Sequence, residues 1–160
     1  MTDSMSDATL HFEDFVPERQ FPLGPKIVSA KEIIEFAAEF DPQPMHLSEA
    51  AGKASILGGL AASGWHTCAM MMRMIVDSFI GRSTCQGAPG VEQMDWKKPV
   101  LAGDTLKGFG VVLEARPLKS RPGIGIVRMR TELRNQRAET VCIAEQSIMF
   151  RMRESGENRA

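Results

Sequence analysis

The sequence predicts an α+β domain in which one long helix lies across one face of a curled antiparallel sheet. In the first half of the chain apolar residues recur at helical spacing, whereas the second half has strand-like stretches separated by turn signals. Helices followed by a run of strands are typical of this class. The length of 160 residues and the hydrophobic fraction of 43% suit one globular domain with a buried core.

The first predicted helix runs from about Ala30 to Phe40. Ser29 and Glu32 have the spacing of a capping box, in which each side chain bonds the backbone N–H of the other residue. Pro42 and Pro44 follow, and because proline removes a backbone donor and restricts the residue before it, the helix must end there.

Two further helices are predicted. A short one covers residues 48–53, and a long, mostly apolar one covers residues 64–80, with Ser63 as its N-cap and Gly81 as a left-handed C-cap. About 17 residues at 1.5 Å each span roughly 25 Å, the length of a core helix. Its methionines at 70–72 suit either an irregular ligand pocket or ordinary core filling.

The strands are predicted from β-branched stretches between turn signals. They cover residues 92–96, 105–114, 123–135 and 139–152, and a further short strand ends at residues 27–28 after a turn-rich segment at 21–25. The turns fall at residues 102–104, 119–123 and 135–136. Because the turns between the later strands are short, we expect them to pair antiparallel.

The two ends of the chain are predicted to be flexible tails, at residues 1–10 and 153–160, so that the domain covers residues 11–152. The N-terminal residues are polar and acidic, without the apolar region of a secretory signal, and we find no stretch that would make a transmembrane helix. The sequence therefore predicts a cytoplasmic protein that does not enter a membrane.

The three cysteines, Cys68, Cys85 and Cys142, are odd in number, widely spaced and lack a C-x-x-C pair. This pattern predicts neither a disulfide framework nor a zinc site, and it suits a reduced cytoplasmic protein. Nineteen Lys and Arg against twenty Asp and Glu leave a net charge of −1, which gives no bulk electrostatic reason to bind nucleic acid.

Only three histidines are available for proton transfer near neutral pH. His11 directly follows the predicted N-terminal tail and is expected to be exposed to solvent. His66 either contacts a ligand or is a structural residue hydrogen-bonded near the start of the long helix. His46 ends a stiff corner that begins at Asp41 and contains two prolines.

The corner brings together a carboxylate and an imidazole. If Asp41 and His46 face each other, they can hold one water molecule and move protons near pH 7, because the usual His pKa is about 6.5. The alternative is that Asp41 caps the next turn and His46 is a solvent-exposed turn residue.

Gly64, 18 positions after His46, opens the long helix. Helix N-termini present unpaired N–H groups and the positive end of the helix dipole, which suits the negative oxygen of a thioester enolate. Ser63 stands beside it but lacks the Gly-x-Ser-x-Gly elbow of serine hydrolases, so a nucleophilic serine is not expected.

Three segments, FAAEFDPQPMHLSEAA, GGLAASGWHT and MDWKKPVLAGDTL, resemble the MaoC-like dehydratase family, the (R)-specific enoyl-CoA hydratases of the hotdog fold. The family signature Asp-x-Asn-Pro-aliphatic-His is matched by residues 41–46, with Gln43 in place of the asparagine. The resemblance extends over residues 29–152, including Trp96 and the Pro-Val and Gly-Asp pairs that follow it.

The resemblance implies a single hotdog domain that forms a homodimer or higher homo-oligomer, with acyl-CoA thioester sites at the interface. Asp41 and His46 would be the catalytic pair and the backbone N–H of Gly64 the oxyanion donor, with Ser63, Gln43 and Trp65 beside the substrate. The reaction would be that of a lyase of fatty acid metabolism: reversible addition of water to a trans-2-enoyl-CoA. It would need neither a metal nor a redox cofactor.

Two departures from the family pattern leave the substrate open. Gln43 is one methylene longer than asparagine, and Phe40 stands where the family usually has glycine. Two alternatives therefore stay open: a hotdog thioesterase, and a non-catalytic subunit that binds acyl thioesters. The basic residues Arg116, Lys119 and Arg121 either meet the phosphates of the ligand or form a solvated turn.

Overall fold

The computed structural model describes residues 8–154, which form five strands and three α-helices. In chain order these are β1 (Gln20–Ile27), α1 (Ala30–Phe40), α2 (Glu49–Ala54), α3 (Gly64–Ser78), β2 (Cys85–Trp96), β3 (Thr105–Pro117), β4 (Ile124–Arg134) and β5 (Thr140–Arg151). Single turns of 3₁₀-helix occur at Phe12–Asp14, Pro44–His46 and Ile80–Arg82. None of the described helices is long and apolar enough to cross a membrane.

The strands form one antiparallel sheet in the order β1-β3-β4-β5-β2. The hairpin from β3 to β4 turns through Gly123, whose φ of +81° suits glycine. One face of the sheet is covered by α3, whose apolar side chains join the core formed by the inner faces of β3, β4 and β5. The predicted α+β architecture is confirmed.

The core has two chemically distinct parts. Four phenylalanines, Phe15, Phe21, Phe79 and Phe150, pack together, with ring centroids 4.0 Å apart for Phe15 and Phe150. The methionines of α3 at positions 70, 71 and 74 are also buried in the core cluster. Core filling therefore accounts for the methionine-rich stretch, except at Met72, which is exposed.

Helix α1 has the predicted bounds. The hydroxyl of Ser29 accepts the N–H of Glu32, and the Glu32 carboxylate accepts the N–H of Ser29. By contrast, α3 ends at Ser78, and Gly81 does not adopt a left-handed conformation, because a 3₁₀ turn follows the helix instead.

Two strands were predicted too short. β1 begins at Gln20 and runs through the segment 21–25 predicted as a turn, and its prolines are tolerated because it lies at the edge of the sheet. β2 begins seven residues before the predicted strand. It lies at the other edge and is mostly exposed, so it lacks the alternation of apolar and polar residues on which the prediction depends.

The described domain also extends into the predicted tails. Leu10 is buried in the core and bridges to Ser83. His11 is half-buried rather than exposed. Arg153 pairs with the carboxylate of Asp14 at 2.6 Å. Residues 1–7 and 155–160 of those tails lie outside the described residues.

Candidate functional site

The corner after α1 brings Asp41 and His46 together. α1 ends at Phe40, Gln43 is extended, and the turn Pro44–His46 directs the imidazole back toward the end of the helix. Nε2 of His46 lies 3.6 Å from Oδ2 of Asp41. His46 is only 5% exposed, so the alternative of a solvent-exposed turn histidine is wrong.

The other ring nitrogen of His46 defines its tautomer. Nδ1 lies 2.7 Å from the carbonyl oxygen of Ala61, and because a carbonyl only accepts, Nδ1–H is the donor. In the neutral ring the lone pair is therefore on Nε2, facing Asp41. The gap between Nε2 and Oδ2 is too long for a direct hydrogen bond and suits a bridging water molecule.

Asp41 is held by two neutral donors. The hydroxyl of Ser63 donates to Oδ2 and the side-chain amide of Gln43 donates to Oδ1, both at 2.7 Å. These hydrogen bonds, with that from Ser63 the larger, lower the pKa of Asp41, and the charge of protonated His46 adds a smaller effect in the same direction. Asp41 is therefore a carboxylate at neutral pH.

Ser63 does not have the predicted capping role. It occupies the N-cap position of α3, but its side chain makes no capping hydrogen bond, because the hydroxyl is committed to Asp41. The first N–H groups of a helix have no acceptor within the helix. The start of α3 thus keeps free backbone donors beside the Asp41–His46 pair.

A cavity of about 290 Å³ lies against His46 and the start of α3, and Asp41, Gln43 and Ser63 are not among the residues that line it. His46, Gly64 and Thr67 line it together with a mostly apolar set: Met45, Leu57, Ala61, Ala62, Trp96, Pro99 and Val100. Lys97 and Lys98 also line the cavity, where Lys97 lies 3.6 Å from Asp95 and Lys98 pairs with Glu139. An apolar cavity with a few convergent polar groups is typical of a small-molecule site.

The two tryptophans of this region have different positions. Trp65, which the resemblance implies to lie beside the substrate, is 65% exposed and is not among the residues that line the cavity. Trp96, which was not among the predicted site residues, does line it. The Trp-x-x-Pro-Val segment was the sequence signal for Trp96. The sequence does not show that this segment lies beside the residues before α3, where the N–H of Ala62 donates to the carbonyl oxygen of Val100 at 2.8 Å.

His66 is buried away from the cavity. Its ring stacks on Phe36 with centroids 4.7 Å apart, and within the part of the chain that the structure describes Nδ1 has no hydrogen-bond partner. The prediction of a hydrogen-bonded histidine is therefore wrong at Nδ1. Burial lowers the pKa of His66, and the structure favours its structural alternative.

Two further sets of residues lie apart from the cavity. None of Arg116, Lys119 and Arg121 lines it. The three cysteines are free thiols. Among residues 8–154 no group of three or more His, Cys, Asp or Glu is arranged to hold a metal ion.

An antiparallel sheet covered by one long helix, with an Asp–His pair at the start of that helix, defines a hotdog domain of the dehydratase type. The model of the MaoC like domain matches residues 14–135, and the chain belongs to this family. The family includes hydratases and dehydratases, so the resemblance read from residues 41–46 is confirmed.

Known proteins agree with this assignment. A crystal structure of a MaoC-like dehydratase from Rhodospirillum rubrum is 39% identical, covers 91% of this chain and 99% of its own, and has a TM-score of 0.84. An (R)-hydratase from Pseudomonas aeruginosa is 22% identical over 95% of both chains with a TM-score of 0.75, which shows the shared fold. An uncharacterised protein from Bacillus subtilis is 33% identical over 78% of this chain and 86% of its own.

Proposed function

We propose that this protein catalyses the reversible hydration of a trans-2-enoyl-CoA to an (R)-3-hydroxyacyl-CoA. One observation carries the proposal: Nε2 of His46 and Oδ2 of Asp41 are 3.6 Å apart beside an apolar cavity that also reaches Gly64. Both atoms accept hydrogen bonds in the resting state, which suits a bound water molecule with two protons to donate. Membership of a family that includes dehydratases supports the same chemistry.

The substrate is oriented by the cavity and by the start of α3. The acyl chain lies among the apolar side chains, and the thioester oxygen accepts the N–H of Gly64. When water attacks C3, the electron pair of the C2–C3 double bond moves toward this oxygen. The N–H and the positive end of the helix dipole stabilise the negative charge that develops there.

The Asp–His pair supplies the water. A water molecule between the two side chains donates one hydrogen bond to Oδ2 and one to Nε2. Because its pKa is lowered, Asp41 is a weak base, and Nε2 of His46 takes the proton as the oxygen bonds to C3. Asp41 stabilises the imidazolium, which returns the proton to C2 on the same face. The products account for all atoms of one water and one enoyl thioester.

Two neighbouring lysines support CoA as the carrier, and the cysteines bear on the compartment. Lys97 and Lys98 line the same cavity and offer cations to the phosphates of CoA. The free thiols of Cys68 and Cys85 suit a reducing compartment, in keeping with a cytoplasmic enzyme.

The proposed functional unit is a homodimer. In one copy of the chain, β2 lies at the edge of the sheet with most of its side chains exposed, among them Val91 at 54%. An exposed edge strand pairs readily with another chain, and a twofold axis would join β2 to β2 of a second copy. This would place the end of β2, at Trp96, near the interface.

The test follows two signals at once. Purified protein is incubated with crotonyl-CoA and longer enoyl-CoA thioesters, and both the loss of the conjugated ultraviolet absorbance and the release of free thiol are recorded. We expect the absorbance to fall without thiol release. The variants Asp41→Asn and His46→Gln should lower the rate by at least about 100-fold, in line with general acid–base catalysis. His11→Gln, a control with the same change at a histidine remote from the cavity, should retain it.

Other outcomes would favour other functions. Thiol release would indicate a thioesterase. Binding of the thioester without either signal would indicate a non-catalytic subunit. A folded dimer that leaves the absorbance unchanged at every chain length contradicts the proposed hydration.

A further inference from the structure

Trp96 lies against the residue proposed to bind the thioester oxygen. A Cβ atom added at Gly64 would lie 2.7 Å from Cε2 and 2.9 Å from Cδ2 and Cζ2 of the Trp96 indole. Real Cβ atoms do not approach other atoms so closely, so the indole occupies the space that a side chain at position 64 would need. Gly64 and Trp96 both line the cavity that contains His46.

The indole is held from two directions. One face lies on Gly64, and Trp65 packs edge-to-face against it with centroids 5.4 Å apart and planes at 82°. The side chain is nevertheless 46% exposed. Trp96 is therefore a fixed part of the cavity lining that is partly exposed in a single copy of the chain, rather than a core residue or a mobile surface side chain.

A bound substrate must lie beside the Trp96 indole. In the proposed function, which this inference extends, the thioester oxygen lies about 2.9 Å from the Gly64 nitrogen, and C3 lies at the water held by Asp41 and His46. C1 and C2 lie between those two points, with C2 next to the reacting carbon. Because the indole contacts Gly64 and lines the same cavity, it flanks the part of the chain that runs from the carbonyl group toward C3.

We propose that Trp96 determines specificity at C2: its indole admits enoyl thioesters with hydrogen at C2 and excludes those with a methyl branch there. Gly64 has no side chain, so the Trp96 indole that lies against it limits the width of the cavity beside the Gly64 N–H. One methyl group in a close-packed pocket changes discrimination by about 10- to 200-fold.

The test compares two pairs of ligands in the full-length protein. For catalysis, kcat/KM is measured with crotonyl-CoA and with 2-methylcrotonyl-CoA. For binding without chemistry, calorimetry compares butyryl-CoA with 2-methylbutyryl-CoA. In Trp96→Leu we expect the ratio of branched to unbranched substrate to rise at least about 10-fold over wild type, for kcat/KM and for affinity alike. Trp96→Phe should give a smaller rise, and it keeps an aromatic ring should the leucine variant fail to fold.

The matched control is Phe109→Leu, which replaces an aromatic side chain of β3 by leucine without changing the lining of the cavity or the contacts of Trp96. Its branched-to-unbranched ratio should stay near that of wild type. Unchanged ratios in folded Trp96→Phe and Trp96→Leu overturn the inference while the proposed hydration stands. If wild type hydrates no enoyl-CoA at any chain length, the proposed function fails, and the binding ratios still decide whether Trp96 discriminates at C2.

Discussion

The hydrogen bond from the Ser63 hydroxyl to Asp41 leads to a prediction that distinguishes Ser63 from an ordinary helix N-cap. Ser63→Ala removes the donor at Oδ2 and leaves the Gln43 donor at Oδ1. Since the Ser63 hydroxyl makes no capping bond to α3, the helix itself loses no capping interaction. The effect should therefore fall on Asp41.

The magnitude follows from the contact. A hydrogen bond to a charged group contributes about 1.5–3 kcal/mol, and about 1.5 kcal/mol applies here because the Asp41 side chain, 20% exposed, can take water as a replacement partner. If that bond holds Asp41 and its water in place in the transition state, kcat/KM should fall roughly 10-fold.

The pH dependence gives a second readout. Because the Ser63 hydroxyl is the main cause of the lowered pKa of Asp41, its loss moves that pKa back up toward the ordinary value. The pH at which the Asp41 carboxyl titrates, followed by carbon-13 NMR, should therefore rise. Asp41 also contributes stability that is present above its unfolded pKa and is lost as the pH falls through the folded pKa, so the variant loses part of that contribution at neutral pH.

The assay measures kcat/KM for crotonyl-CoA from pH 4 to pH 8, with Ser29→Ala as the matched control. Ser29 is the true cap of α1, so its loss should cost about 0.5–2 kcal/mol of unfolding free energy while the rate profile stays in place. A Ser63→Ala enzyme with wild-type kcat/KM and an unmoved titration of Asp41 would refute the assignment of Ser63 as a positioning residue for Asp41.

Three further predictions concern stability and assembly. Gly52→Ala places a Cβ 2.1 Å from the carbonyl oxygen of Gly59 and should lower the free energy of unfolding in urea by about 1–3 kcal/mol. Gly59→Ala, whose added Cβ would have no atom nearer than 3.6 Å, should lower it far less, and equal losses would contradict the close packing of α2. Burial lowers the pKa of His66, so the unfolded chain binds more protons than the folded chain below about pH 6.5, and the free energy of unfolding decreases as the pH falls. His66→Phe should reduce this decrease between pH 7.5 and 5.5, and an unchanged slope would contradict the burial of a neutral His66. Val91→Arg on the edge strand β2 should convert the dimer to a monomer in analytical ultracentrifugation, while Leu113→Arg, at another exposed apolar position, should not. A Val91→Arg protein that remains a dimer would rule out β2 as the interface.

Features set by local sequence were predicted best. The bounds of α1 follow from a capping box and two prolines, all within a few residues of the helix ends. The Asp41–His46 pair was predictable for the same reason, since a stiff corner limits where two nearby side chains can lie.

Features that depend on distant partners were predicted poorly. Ser63 has the sequence of an N-cap, and only the fold shows that its hydroxyl has a stronger acceptor 22 positions away. Trp96 was not selected as a site residue because its contact with Gly64 exists only when the end of β2 meets the start of α3. The edge strand β2 escapes prediction because exposure on both faces removes the periodic pattern, whereas β1 keeps an alternating burial pattern but contains the prolines and glycine typical of a turn.

The most direct test of the account is where isotopically labelled water enters the product. The protein is incubated with crotonyl-CoA in water enriched in heavy oxygen, and the products are analysed by mass spectrometry. We predict one labelled oxygen at C3 of an intact 3-hydroxybutyryl-CoA, formed by wild type and lost in Asp41→Asn and His46→Gln. Label in the carboxylate of a free acid, with CoA released, would contradict hydration by the Asp41–His46 pair.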